Sequence, residues 1–226
     1  MANYKLLSLL SIILIALISA KNPPTVIDFY MEALCPYCVQ FTTGAVKNFL
    51  AQTGNEELAI INFVPYGNAK ESQKDGSFVF TCQHGDKECR GNLIETCAIK
   101  VFDYSEANNF IVCLESNYKG DFDQTAAKCL DEAKLAELQN CLNSEESSVF
   151  QHEMAEKTNS LQPPHQWVPW VVVDGQQDDK ITEADDLVAY LCSKRSDSSE
   201  IGLCQQTIYS EIELRFLGDK LVCRRN

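Results

Sequence analysis

Residues 28–41 read DFYMEALCPYCVQF, an apolar stretch that runs into two cysteines separated by two residues. The β-branched and aromatic residues of Thr25 to Met31 predict a buried strand, and apolar residues at helical spacing predict a helix over 36–50. Cys35 therefore stands at the N-terminus of a helix, with Pro36 in the first turn, where a missing N–H costs nothing. This order of strand, C-x-x-C and helix is typical of redox-active proteins.

The position of the two cysteines predicts a distinct role for each. Unpaired N–H groups and the helix dipole favour an anion at a helix N-terminus, so Cys35 is the predicted attacking thiolate. Cys38, one turn further along, is close enough to resolve a mixed disulfide. A buried structural disulfide or half of a zinc site are the alternatives for this pair. Zinc needs a second pair of ligands, the sequence contains no second C-x-x-C, and no metal is predicted.

The rest of the chain alternates between strand and helix patterns. The predicted elements are strands at 58–64 and 170–176, the second closing in a turn at Asp174–Gly175, and helices at 144–158, with Ser144 as N-cap, and at 184–192. From about 66 to 160 the apolar residues follow helical spacing. Strands that alternate with helices favour a sheet covered on both faces. We predict an α/β fold with a large, mostly helical, disulfide-rich insertion, and this order of elements resembles that of thioredoxin-like folds.

Val168-Pro169 immediately precedes the last predicted long strand. The order of strand, redox helix, strand, insertion and Val-Pro-strand resembles that of thioredoxin-like folds, in which this proline is cis and faces the C-x-x-C. We therefore predict a cis Val168–Pro169 bond, with the Val168 backbone pairing with an extended substrate segment as an edge strand does. The alternative is an ordinary trans proline that begins a strand.

The amino terminus indicates the secretory pathway. Lys5 precedes an apolar run at 6–18, and Ile18-Ser19-Ala20 offers a cleavage site, so residues 1–20 have the layout of a signal peptide. The apolar run is too short for a membrane span, which needs about 20 residues. The predicted organisation is a signal peptide at 1–20, one reductase domain at 21–205 and a C-terminal tail at 206–226.

Eleven cysteines in a secreted chain predict a disulfide framework. The redox pair leaves nine, an odd number, and Cys223 near the C-terminus is the candidate for a thiol that stays free or links two chains in a homodimer. The eight predicted structural cysteines are Cys82, Cys89, Cys97, Cys113, Cys129, Cys141, Cys192 and Cys204. A Cys192–Cys204 bridge is predicted to hold the polar, loop-like segment that follows Cys192.

The charge balance excludes one class of partner. The chain has 19 Lys and Arg against 32 Asp and Glu, a formal net charge of −13, and no cluster of basic residues. Nucleic-acid binding needs a basic surface, so nucleic acid is not a predicted partner. No membrane partner is predicted either.

Residues 82–97 read CQHGDKECRGNLIETC, three cysteines and a histidine that could bind a metal, although disulfides are favoured in a secreted chain. The pattern C-Q-H-G-x-x-E-C-x-x-N-x-x-x-x-C resembles the signature of the gamma-interferon-inducible lysosomal thiol reductases. The stretch LQPPHQWVPW at 161–170 resembles the segment before the last strands of that family. With Cys35 and Cys38, the resemblance covers residues 25 to 204.

The resemblance implies an enzyme that reduces protein disulfides in acidic endosomes and lysosomes. It implies that Cys35 and Cys38 are the redox pair, that Pro169 is the cis-proline and that the 82–97 block is structural. No cofactor is expected, because a small-molecule thiol or reductant would recycle the enzyme. The predicted location is the lysosome, the endosome or the extracellular space.

Other functions and residues stay open at this point. A DsbA-like oxidase or isomerase would share the fold, and only a reduction potential separates oxidation from reduction. A secreted, disulfide-rich binding protein, with Cys35–Cys38 as a staple, is the non-enzymatic alternative. Asp28, His84 and His165 are candidates for proton transfer, each with a plainer structural role in hydrogen bonding.

Overall fold

The computed structural model describes residues 22–207. The predicted signal peptide at 1–20 and Cys223 lie outside the described residues, as does all of the tail except residues 206 and 207. Within the described range, no helix is both long and apolar enough to cross a membrane.

Short strands and longer helices alternate at both ends of the described chain. The strands are β1 (Thr25–Met31), β2 (Ala59–Pro65), β3 (Lys70–Lys74), β4 (Ser77–Thr81), β5 (Trp170–Val173) and β6 (Gln176–Gln177). The first helix, α1, combines an α-helical segment Pro36–Phe41, a π-helical turn Thr42–Val46 and a second α-helical segment Lys47–Leu50. The others are α2 (Asn55–Leu58), α3 (Asp86–Val101), α4 (Tyr104–Asn117), α5 (Phe122–Cys129), α6 (Glu132–Leu142), α7 (Ser147–Asn159) and α8 (Leu187–Lys194).

A mixed sheet with the strand order β2-β1-β5-β6 forms the centre of the fold. β1 and β2 are parallel, whereas β5 is antiparallel to both β1 and β6. Parallel strands need a crossover, which α1 supplies between β1 and β2. This order confirms the predicted thioredoxin-like α/β fold. The predicted turn at Asp174–Gly175 is also present, with φ values of 47° and 80°.

Aromatic packing fixes α1 against the sheet. Phe29 of β1 contacts Phe41 of α1 edge to face, with ring centroids 5.1 Å apart, and lies 5.3 Å from the ring of Phe63 in β2. All three rings are buried, and full burial of such a side chain stabilises the fold by about 1.5–3 kcal/mol. The start of α1 is thereby held at the end of β1, where Cys35 lies.

The insertion confirms the predicted helices but begins differently. Residues 70–81 form the antiparallel hairpin β3–β4, where the sequence analysis predicted only helical structure from residue 66. The hairpin turns at Asp75-Gly76, with φ values of 52° and 83°, and Asp-Gly is a preferred pair for such a two-residue turn. The polar composition of β3 (KESQK) hid this signal, because strand prediction relies on apolar and β-branched residues.

Three local predictions were wrong. The Ser144 hydroxyl donates to the carbonyl of Cys141 (2.8 Å) and caps no helix; α7 begins only at Ser147. The last long helix begins at Leu187, because the Asp186 side chain accepts from the Ala189 N–H (3.0 Å) and acts as its N-cap. Residues 202–204, the end of the segment predicted to be loop-like, are helical and begin a helix that runs to residue 207.

Four disulfides brace the described chain. The pairs are Cys82–Cys89, Cys97–Cys141, Cys113–Cys129 and Cys192–Cys204. Two of them join neighbouring helices of the insertion, α3 to α6 and α4 to α5. The loops that they close restrict the unfolded chain, which is the main way in which disulfides stabilise small domains.

Two carboxylic acids are buried against each other inside the insertion. Glu95 of α3 is fully buried and Glu115 of α4 is 5% exposed. Burial raises the pKa of Glu95 to about 8. Burial also raises the pKa of Glu115, with a further increase from the charge of Glu95. The pair therefore favours the protonated state in the folded protein.

This pair predicts a fold that is more stable in acid. Because both folded-state pKa values lie above the ordinary value of 4.5, the contribution is fully present below pH 4.5 and is lost as the pH rises towards 8. The slope is on the order of 1 kcal/mol per pH unit for each proton. In denaturant unfolding at pH 5, 6 and 7, Glu95→Gln/Glu115→Gln should flatten this decline. Glu153→Gln, at a 42% exposed side chain, is the control; equal slopes in the two variants would contradict the prediction.

Candidate active site

Cys35 and Cys38 lie at the start of α1 and are the two free cysteines among the described residues. Cys35 occupies the N-cap position, and Pro36 follows in the first turn. Cys35 is 6% exposed and Cys38 is fully buried. A disulfide-bonded substrate can therefore reach Cys35 but not Cys38. This arrangement suits Cys35 as the nucleophile and Cys38 as the resolving thiol.

The surroundings of the two sulfurs drive their pKa values apart. A hydrogen bond from the Cys38 thiol lowers the pKa of Cys35 to about 6, helped by the backbone N–H groups of Cys38 and Tyr37 and by the charge of His84. Burial and the hydrogen bond to Cys35 raise the pKa of Cys38 well above its ordinary value. At pH 5, a thiol of pKa 6 is roughly one-tenth ionised, against about one in 10,000 at the ordinary value of 9.

The predicted cis bond between Val168 and Pro169 is confirmed. The carbonyl oxygen of Val168 lies 3.5 Å from the Cys35 sulfur and accepts a hydrogen bond from its thiol. The structure also contains a second cis bond, Gln162–Pro163, that the sequence analysis did not predict. The segment before β5 thus places a backbone carbonyl directly beside the Cys35 sulfur.

A cluster of two glutamates and one histidine flanks Cys35. Glu32 and Glu88 have buried side chains, and His84 between them is 37% exposed. The His84 Nδ1 donates to Glu88 and lies 3.6 Å from Glu32 Oε1. Glu32 Oε2 accepts from the backbone N–H of Asn68 (2.8 Å). One carboxylate oxygen of each glutamate and one ring nitrogen of His84 lie within 4.8 Å of one another, a spacing that would also suit a metal ion. The hydrogen bonds and ion pairs among these side chains are sufficient to explain the spacing.

The charge of this cluster depends on pH. Burial raises the pKa of Glu32 to about 7, and the hydrogen bond to Glu88 raises the pKa of His84. In acid, Glu32 is neutral and His84 is a cation, and both conditions favour the Cys35 thiolate. Above about pH 7, Glu32 ionises and its negative charge opposes the thiolate.

The resemblance implied a structural role for the 82–97 block, and no sequence pattern singled out Glu32. The disulfide Cys82–Cys89 closes the loop that carries His84, and Asn92 Oδ1 accepts from the backbone N–H of Ala33 (2.9 Å). A side chain at Gly91 would lie 2.6 Å from the Cβ of Ala33. The motif therefore packs directly against the loop before Cys35. The available signal for Glu32 was an acid three residues before Cys35, at the end of a buried strand.

The other two proton-transfer candidates lie elsewhere. Asp28 accepts a hydrogen bond from the Asn62 side chain (2.9 Å) and lines a separate cavity with Tyr30 and Tyr104. His165 does not line the cavity beside Cys35, and burial lowers its pKa. Neither side chain is brought to the cysteine pair.

His84→Gln should slow alkylation of reduced Cys35 at pH 5 by about twofold to fivefold, because a nearby cation is lost. At pH 9, where Cys35 is ionised in both proteins, the rates should converge. His152→Gln is the matched control, since His152 pairs with Glu71 on the hairpin. Rates measured by iodoacetamide labelling and mass spectrometry of the Cys35 peptide decide the matter. An unchanged pH profile would show that His84 has no electrostatic role.

Comparisons with known proteins identify the family. The family model for gamma interferon inducible lysosomal thiol reductase (GILT) matches residues 26–133. The gamma-interferon-inducible lysosomal thiol reductase of Mus musculus is 30% identical over 187 residues, covering 81% of this chain and 73% of that protein. The gamma-interferon-responsive lysosomal thiol protein of Arabidopsis thaliana is 33% identical over 182 residues, covering 78% of this chain and 73% of that protein. The chain belongs to the GILT family.

A further GILT relative and two solved structures are also similar. The thiol reductase of Carassius auratus is 36% identical over 165 residues, which cover 71% of this chain and 63% of that protein. The MdbA proteins of Corynebacterium diphtheriae and Corynebacterium matruchotii, both thiol-disulfide oxidoreductases, are 14% identical to this GILT-family chain. The Corynebacterium diphtheriae protein superposes with a TM-score of 0.49 over 79% of this chain and 86% of its own. The Corynebacterium matruchotii protein superposes with a TM-score of 0.48 over 72% of this chain and 80% of its own.

Proposed function

We propose that this GILT-family protein reduces disulfide bonds of protein substrates through Cys35 and Cys38. The observation that carries the proposal is the opposite direction of the two pKa shifts: the accessible sulfur is ionised easily and the buried sulfur retains its proton. A structural disulfide would need neither an easily ionised Cys35 nor a Cys38 that retains its proton. Membership in a thiol reductase family supports the same conclusion.

The reaction proceeds by two thiol–disulfide exchanges. The Cys35 thiolate attacks one sulfur of the substrate disulfide, the substrate S–S bond breaks, and the departing thiolate takes a proton. Cys38 then loses its proton and attacks Cys35, which releases the second substrate thiol and forms the Cys35–Cys38 disulfide. Two electrons pass from the enzyme to the substrate, and the oxidised pair awaits reduction.

Recycling requires an external reductant. We assign this role to a small-molecule thiol, which can reach Cys35 at its 6% exposure, whereas Cys38 is fully buried. Two equivalents of such a thiol would reduce the Cys35–Cys38 disulfide through a mixed disulfide at Cys35. No bound cofactor takes part in this cycle. Cys223 stays the candidate for a free thiol or an intermolecular link.

Acidic compartments of the secretory pathway suit this chemistry. A Cys35 pKa of about 6 keeps a useful fraction of thiolate at pH 5, and the buried pair Glu95–Glu115 favours the fold in acid. The relatives from Carassius auratus and Mus musculus carry the word lysosomal in their names. These observations support action in endosomes or lysosomes, with secretion as the other destination of a chain that enters this pathway.

Turnover and reduction potential together test the proposal. Mature protein is incubated at pH 5 with a disulfide-bonded protein and an excess of small thiol, and the release of substrate thiols is compared with the thiol alone. Catalysed release, with a Cys35–Cys38 potential well below that of oxidising DsbA-type enzymes at about −120 mV, supports a reductase. A potential near that value would assign the chain to disulfide formation instead.

A further inference from the structure

Exposed aromatic surface is concentrated at the redox pair. Few large hydrophobic side chains are exposed among the described residues: Val26, Tyr37, Val79, Val149 and Trp167. The two aromatic ones, Tyr37 at 71% and Trp167 at 47% exposure, line the same cavity as Cys35. Exposed aromatic side chains that flank a reactive group commonly mark a binding surface.

Two cavities meet at these aromatic rings. The first, of about 470 Å³, has one wall of Tyr37, Phe41, Trp167 and Pro169, and its remaining lining includes the polar side chains of Gln40, Thr182 and Glu183. The second, of about 480 Å³, contains Cys35 and is lined by polar side chains, which include Asn68, Gln83, His84 and Gln166. Tyr37, Trp167 and Val168 belong to both. The first cavity therefore combines an aromatic wall with three polar side chains, and the second places Cys35 among several polar ones.

The aromatic wall is built from parts that the fold already holds in place. The Trp167 ring contacts Trp170 edge to face, with centroids 5.3 Å apart, and Trp170 is only 3% exposed. Phe41 is buried against Phe29 of the sheet. A ligand that enters this cavity would order few side chains, and preorganisation of this kind favours binding.

A substrate with an extended backbone presents alternate residues to the same side. When its half-cystine points at Cys35, the residues two positions before and two positions after also point towards the enzyme. These positions lie about 6.6–6.8 Å from the half-cystine along the strand. Because the two cavities border each other at Tyr37, Trp167 and Val168, a segment that crosses Cys35 can present one of these side chains to each cavity.

We propose that the Tyr37–Phe41–Trp167–Pro169 cavity is a specificity pocket for a bulky apolar residue two positions from the reacting half-cystine. The substrate class is an extended, disulfide-bonded segment of an unfolded or partly unfolded protein, since a folded protein would bury both its apolar residue and its backbone. The polar cavity receives the opposite flank of the same segment. This inference rests on the proposed function and assigns its substrate preference.

Matched peptides test the pocket. The three probes are acetylated pentapeptide amides with a central cysteine linked to 2-thiopyridine and with alanine on both sides of it. One probe has phenylalanine at the first position and serine at the fifth, the second has serine at the first and phenylalanine at the fifth, and the third has serine at both. Attack on the peptide sulfur releases thiopyridone, which absorbs light. The protein is reduced beforehand and used without added thiol, and the second-order rate constant of its single turnover (kcat/KM) with each peptide is divided by that with 2,2′-dithiodipyridine, which has no peptide, so that differences in thiol chemistry cancel.

One phenylalanine peptide should exceed the serine peptide by about tenfold or more. Trp167→Ala and Tyr37→Ser should each collapse this ratio towards one, whereas Val149→Ala, at an exposed apolar residue elsewhere, should keep it. Equal kcat/KM for all three peptides, or a ratio that survives both aromatic substitutions, would overturn the pocket while leaving the reductase intact. Failure of the wild-type protein to release thiopyridone from any probe would instead overturn the proposed function, and the pocket with it.

Discussion

Cys35→Ser should lower disulfide reductase turnover at pH 5 by about a thousandfold or more. The thiolate is the nucleophile in disulfide exchange, and a serine hydroxyl ionises at no accessible pH and forms no disulfide. The substitution changes one atom at a side chain that is 6% exposed, so the fold should be retained. Turnover is measured by the release of substrate thiols in the presence of a small thiol.

The control for this loss is structural. The unfolding midpoint of Cys35→Ser in denaturant should match that of the wild-type protein in which only the Cys35–Cys38 pair is reduced, because the four structural disulfides are intact in both. A variant that retains more than a tenth of wild-type turnover would show that another thiol performs the attack. A variant with an altered unfolding transition would report a folding defect, and Cys35→Ala would then replace it.

Cys38→Ser should convert the enzyme into a trap for its substrates. Without the resolving thiol, the mixed disulfide at Cys35 persists, and turnover should fall to the rate at which external thiol cleaves the adduct. The hydrogen bond from Cys38 is the largest cause of the low Cys35 pKa, and a serine hydroxyl can donate the same bond. Attack should therefore stay fast at pH 5. The adduct is detected by non-reducing electrophoresis and mapped to Cys35 by mass spectrometry.

Cys38→Ala provides the matched comparison. It also lacks the resolving thiol but donates no hydrogen bond, so the pKa of Cys35 should rise and the adduct should form more slowly at pH 5 than in Cys38→Ser. At pH 9 the two variants should form it at similar rates. Absence of an adduct in Cys38→Ser at either pH, together with an inert wild-type protein, would mean that the pair is structural and that the binding-protein alternative is correct.

The sequence determined the central elements because their signals are local. The apolar run into C-x-x-C predicts β1, α1 and the position of Cys35 at a helix N-terminus, and all three are present. The position of Val168-Pro169 before β5 predicted its cis bond. The first three features depend on the spacing of residues within one short segment, which periodicity reveals. The cis bond was predicted instead from the resemblance of the whole order of elements to that of thioredoxin-like folds.

The tertiary structure decided which distant segments meet. His84 and Glu88 lie about fifty residues after Glu32 in the chain, yet the Cys82–Cys89 loop places them beside it and beside Cys35. The same holds for the partners of the disulfides in the insertion, for which cysteine counting predicts the participants but not the pairing. No local pattern specifies such contacts.

The chemistry of the site depends both on local sequence and on contacts between distant segments. The sequence alone determined that a cysteine pair lies at the start of a helix in a thioredoxin-like fold. Only the tertiary structure decided that one sulfur is reachable and readily ionised, that a buried carboxyl and a paired imidazole lie beside it, and that Tyr37 and Trp167 border it. Burial and electrostatic fields come from atoms far apart in the chain, so they exist only once the chain has folded.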